Sequence, residues 1–154
     1  MMSISKKTVD ILELLSTIPS EGLSQEDLSI VQQYSGGFTN HLGLLFTHAN
    51  SEKVCAQLPV KENHLQVTGV VNGGVYCAIA ETVGSVMGLI ASKGVVVLGV
   101  NNSTDFLSSV ADGVIEAQAR VIKAGRKTQL ISIEMFNQEK LVARSTLRTL
   151  LVPQ

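Results

Sequence analysis

Cysteine is nearly absent from this 154-residue chain: Cys55 and Cys77 are the only two. That density excludes a disulfide-rich scaffold, leaves room for one bridge at most, and points to a reducing, cytoplasmic setting. Tryptophan is missing and all aromatics together make up 4%, too few to build base-stacking platforms. Charge is scarce too, at 16%, and 12 Lys and Arg against 13 Asp and Glu leave a net −1 with no long run of either sign. A nucleic acid or an anionic lipid surface would call for a basic patch, so neither is expected as a partner. The opening Met-Met-Ser-Ile-Ser-Lys-Lys has no apolar core and no small-residue cleavage site, so it does not read as a signal peptide.

What the chain has in quantity is apolar side chain, 45% of residues with a mean hydropathy of +0.28. Such a composition is too apolar for disorder and suits one domain with a real core. The stretch from Val67 to Val100 is apolar enough to raise a membrane question. It carries Gly69, Gly73, Gly74, Gly84 and Gly88, with Asn72 at its head and Glu81 near its middle. A carboxylate at mid-bilayer is costly, so the stretch reads as a buried helix followed by a strand.

Residues 6–17 place Val9, Ile11, Leu12, Leu14 and Leu15 mostly on one helical face and stop at Pro19. A second helix over 24–34 starts at Ser24, a good N-cap, with Glu26 and Asp27 in its first turn. Strands are expected at 42–47 and 53–60, separated by Asn50-Ser51. Gly73-Gly74 open a proline-free segment to about Ser92, where Val75, Ile79, Val83, Val86, Met87 and Ile90 follow helical spacing. Beyond Gly94, strands are expected at 95–106, 113–124, 127–137 and 140–152, joined by short turns that favour antiparallel pairing. One long apolar helix with strands on both sides of it in sequence implies α+β, the sheet wrapped around the helix.

Glu81 is the only formal charge between Glu62 and Lys93. Its neighbours at helical spacing are Cys77, Ala78, Gly84 and Ser85, and Gly74 and Gly88 extend this small stripe. The stripe admits a close neighbour: a strand, a second copy of the helix, or a ligand. The carboxylate itself either faces solvent, pairs with an arginine from the sheet, or does chemistry. Upstream, the segment from Gln66 to Gly74 places polar groups at the helix N-terminus, where free N–H groups and the helix dipole favour a polarised carbonyl. An electrophile-stabilising end and a carboxylate two turns away suit acyl-group hydrolysis.

The segment HLQVTGVVNGGVYCAIAETVGSVMG (64–88) resembles hotdog-fold acyl-CoA thioesterases of the phenylacetate-degradation, hydroxybenzoyl-CoA and dihydroxynaphthoyl-CoA type. NNSTDFL (101–107), ARVIKAGRKT (119–128) and KLVARSTLRTLLVP (140–153) support the resemblance, which runs from about His41 to Pro153. It implies a hotdog domain over 36–154, with 1–35 as an N-terminal helical extension, and a homodimer or dimer of dimers with sites between subunits. It also implies hydrolysis of an aromatic or medium-chain acyl-CoA. Carried over residue by residue, Glu81 is the nucleophile or general base, the Gly73 N–H polarises the thioester carbonyl, Gln66 orients the thioester or the water, and Ser85 holds the water or the carboxylate. The family pattern has His-Gly-Gly where this chain has Asn72-Gly73-Gly74, which places Asn72 at the thioester site without a titratable proton. The alternative is an acyl-CoA-binding or regulatory protein that has lost turnover.

Coenzyme A, as part of the substrate, would contact Asn102, Ser103 and Thr104 and the turn Arg126, Lys127 and Thr128. The basic pair could equally be a solvated hairpin turn. No cofactor is implied. His41, His48, His64, Cys55 and Cys77 show no zinc-type spacing, so no metal site is expected. A serine hydrolase is excluded because Ser85 follows Gly84 directly and sits within a helix rather than on a strand-to-helix elbow.

Overall fold

A computed structural model describes residues 6–152; residues 1–5 and 153–154 lie outside it, and with them most of the opening heptapeptide and Pro153 of the closing motif. Helix α1 spans Lys6–Ser16 and α2 spans Gln25–Tyr34, where Ser24 caps α2 by accepting from the Asp27 N–H at 3.1 Å. A third helix, α3 (Gly36–Leu42), occupies ground where only loop and the start of a strand were expected. His41 therefore lies on a helix, and the first strand, β1, begins later, at Leu45–Ala49. Two glycines at its start hide α3 from propensity. It is held by tertiary contacts instead: Thr39 and Leu42 are buried, and Gly43 closes it at φ 79° with its N–H on Thr39 and Asn40.

The remaining elements follow the sequence pattern closely. They are β2 (Val54–Pro59), a short 3-10 turn at Glu62–His64, α4 (Gly73–Ala91), β3 (Val97–Phe106), β4 (Val114–Ala124), β5 (Thr128–Asn137) and β6 (Lys140–Leu151). The strands form one antiparallel sheet in the order β1-β2-β4-β5-β6-β3, which leaves β1 and β3 at its edges. Ile115, Ala117 and Ala119 of β4 and Ile131, Ile133 and Met135 of β5 alternate inward, and α4 lies on that face through Ile79, Val83, Val86 and Met87. Fold class and layering are thus those read from the sequence.

Part of the small stripe on α4 is taken up by the sheet. A Cβ on Gly84 would stand 2.7 Å from Leu147 Cδ2, and one on Gly88 would stand 2.9 Å from Gln129 Oε1. The buried Gln129 donates to the Gly88 carbonyl at 3.1 Å and accepts from Thr149 at 2.9 Å, fastening the end of α4 to β5 and β6. By length and composition α4 could span a bilayer, but half of its apolar window is buried within the fold. Leu15, Leu23, Leu28 and Val31 of the N-terminal segment join the same core cluster.

Candidate active site

The head of α4 is built by a loop that folds on itself. Gln66 accepts from the Gly69 N–H at 2.9 Å and donates its own N–H to Val70 at 2.8 Å, a turn that Gly69 permits at φ 79°. His64 anchors the loop from below. It is buried, accepts from the Lys61 N–H on Nδ1 at 3.0 Å, and gives its Nε2 proton to the Leu42 carbonyl at 2.8 Å. Those bonds make His64 a structural residue that holds the loop carrying Gln66.

Asn72 is the N-cap of α4. Its Oδ1 accepts from the Gly74 N–H at 2.8 Å, and its carbonyl accepts from the Val75 N–H at 2.9 Å. Among the described residues nothing accepts from the N–H of Gly73 between them. A free donor at the positive end of a helix suits a carbonyl oxygen that gains charge. The Phe106 ring lies directly over Gly73, where a Cβ would come within 2.8 Å of it, and its centroid is 5.9 Å from that of Tyr76. The Gln66 side chain is exposed and makes no hydrogen bond to the described residues.

Glu81 is half-buried, and its carboxylate rests against Gly99 of β3, where the strand register shifts. A Cβ at Gly99 would collide with Oε1 and stand 3.0 Å from Oε2. The sheet supplies no arginine partner: the one ion pair among the described residues joins Arg144 and Asp105 at 3.1 Å on the exposed face of β3 and β6. Glu81 and Ser85 share a depression of about 590 Å³, roofed by α1 and the α2–α3 junction. Asn72 and Gly74 border a different one, of about 430 Å³, beside Phe38 and His41. Eight helical steps separate Gly73 from Glu81, about 12 Å of rise.

The residues expected to hold coenzyme A fall into two places. Asn102 donates to the Cys77 carbonyl at 2.9 Å, and Thr104 donates to Asn102 Oδ1 at 2.8 Å while its hydroxyl pairs with Ser145. These bonds tie β3 to α4. Ser103 faces an outer depression with Asp105 and Arg144. Arg126 and Lys127 instead flank a cavity of about 570 Å³ with an apolar floor at Leu150 and Leu151, and Thr128 follows them at the start of β5. From the Val97 end of β3, near that turn, residues 102–104 lie roughly 16–23 Å along the strand. Sequence reasoning missed Lys93, which joins the basic pair across the end of α4. It also missed Gly99 and Phe106, because both act through contacts between a strand and α4 that no local pattern marks. Among the described residues no group of three or more His, Cys, Asp or Glu is placed to hold a metal ion.

Known proteins share this fold. A sequence model of the thioesterase superfamily matches residues 68–143, from the turn before α4 through the start of β6. Rv1847/MT1895 of Mycobacterium tuberculosis is 38% identical, and its structure superimposes with a TM-score of 0.72 over 76% of this chain and 97% of that one. Thioesterase HI1161 of Haemophilus influenzae is 30% identical, with a TM-score of 0.77 over 88% of this chain and 95% of its own. The proofreading thioesterase EntH of Cronobacter sakazakii is 28% identical over 68% of this chain and 77% of its own length. With the curved sheet around α4, the free donor at the helix head and the carboxylate two turns on, these likenesses establish that the chain belongs to the hotdog-fold thioesterase superfamily and is a thioester hydrolase.

Proposed function

We propose that the chain hydrolyses the thioester of a medium-chain or aromatic acyl-CoA, with Glu81 as the reacting carboxylate. The observation that carries this is the half-buried Glu81, which has no cation partner among the described residues and is seated on Gly99 beside a cavity. As general base, Glu81 takes a proton from a water held by Ser85 while the water oxygen bonds to the carbonyl carbon. The C–S bond then breaks, and the departing CoA sulfur receives the proton. As nucleophile, the same carboxylate attacks the carbonyl carbon, the C–S bond breaks and CoA leaves as its thiolate, and water then cleaves the resulting anhydride to the free acid and the restored Glu81. Either route needs the carbonyl oxygen on the Gly73 N–H, with Gln66 orienting the thioester.

The 12 Å between Gly73 and Glu81 is met by a second copy of the chain, whose helix head faces the Glu81 of the first. Support comes from β3, a ten-residue edge strand with Leu98, Val100 and Phe106 exposed, which invites pairing with its own kind. Lys93, Arg126, Lys127 and Thr128 take the phosphates of coenzyme A, whereas Asn102 and Thr104 hold β3 in place. Free thiols at Cys55 and Cys77 support a cytoplasmic setting.

Release of free CoA from short, long and aromatic acyl-CoAs, by wild type and Glu81→Gln side by side, tests the reading. Turnover in the wild type that falls about a thousandfold or more in the variant is expected, as for removal of a reacting group. Retained CoA binding without turnover on any thioester would instead favour an acyl-CoA-binding protein.

A further inference from the structure

The depression beside Glu81 has a polar end and an aliphatic end. Glu81, Ser85 and Leu89 follow one another at four-residue spacing on α4, so the groove runs about 12 Å along the helix away from the carboxylate. Ile11 and Leu12 of α1 face Val86, Leu89 and Val97 across its far half. Among the described residues Glu81 is the one charged group lining it and Tyr34 the one aromatic, a lining that favours an aliphatic chain over a phosphate or a planar ring. The volume of about 590 Å³ falls in the range of small-ligand sites.

The α1 wall is fixed in place. Leu15 is wholly buried, and the Leu12 carbonyl packs against Gly94, where a Cβ would come within 2.6 Å of it and where the backbone has φ 82°. The superfamily match covers residues 68–143 and does not include α1. We infer that this groove is the acyl subsite for unbranched aliphatic chains and that α1, through Ile11 and Leu12, sets the chain length accepted. The inference rests on thioester chemistry at Glu81 and narrows its substrate class to medium-chain fatty acyl groups.

The test uses the full chain and a series of S-alkyl-CoA thioethers of increasing length, with a phenacyl analogue beside them, so that binding is read without turnover. Affinity by titration calorimetry is expected to rise about fourfold per methylene until the groove is filled, and then to level off. Ile11→Trp should move the plateau to shorter chains and Ile11→Ala to longer ones. Leu89→Trp, which fills the groove from the opposite wall, should mimic Ile11→Trp and serves if an α1 variant does not fold. The same shifts are expected in the kcat/KM profile on acyl-CoAs. Affinity independent of chain length, a plateau unmoved in folded variants, or tighter binding of the phenacyl analogue would overturn the inference. Loss of turnover with the length-dependent binding intact would count against the hydrolytic reading alone.

Discussion

Gly99 has no side chain at the point where one would strike the carboxylate of Glu81, and that vacancy decides where the carboxylate sits. Its φ is not in the left-handed region, so alanine fits the backbone and only the carboxylate must move. Gly99→Ala should leave the thermal midpoint within a degree or two and KM nearly unchanged, while kcat falls about tenfold to a hundredfold. Wild-type kcat in the folded variant would show that the contact positions nothing. Glu81 itself was legible in the sequence because a lone charge in an apolar helix stands out. Gly99 was not, because its meaning lies in a contact with a residue eighteen positions earlier on another element. The arginine partner weighed for Glu81 is absent for the same kind of reason: pairing depends on register across β3 and β6, where Arg144 meets Asp105 instead.

At the scale of the element, α4 was readable almost to the residue, since apolar spacing and the Gly-Gly opening mark both its face and its start. Its neighbour α3 was not, because its two glycines suppress the helical signal and its stability comes from burial of Thr39 and Leu42. The departure at position 72 from the family histidine gains a physical meaning here. Asn72 accepts from Gly74 and so leaves the Gly73 N–H as the free donor at the helix head. Histidine is not among the good N-caps. Asn72→Ala should cost about 1 kcal/mol in denaturant unfolding, and Asn72→Asp should recover most of it. Equal stability of all three proteins would remove the capping role.

For the whole molecule, an antiparallel sheet closed around α4 was visible in the sequence through alternation and short turns, whereas the strand order was not, because β2 lies beside β4 and β3 beside β6 across the chain rather than across a turn. The proposed division of the site between two chains comes from family resemblance, because helical spacing alone suggests that Gly73 and Glu81 cooperate. Eight residues of rise keep them apart within one chain, and the long exposed edge at β3 offers the way to bring a second chain in. The N-terminal helices add a wall over the Glu81 face that the superfamily match does not contain.

The central claim is that Glu81 of one chain works with the Gly73 N–H of another, and subunit mixing tests it most directly. Gly73→Pro deletes that N–H at a helix position where proline is well tolerated, and it is made together with Phe106→Ala to remove the ring that a Cβ there would strike. Gly73→Pro and Glu81→Gln chains, each folded and each inactive alone, are co-expressed under two different tags and purified through both. If the site is shared, each mixed dimer carries one intact site and one doubly damaged site, and about half of the wild-type rate returns. Mixed dimers as inactive as either parent would contradict the account, because each site would then lie within a single chain.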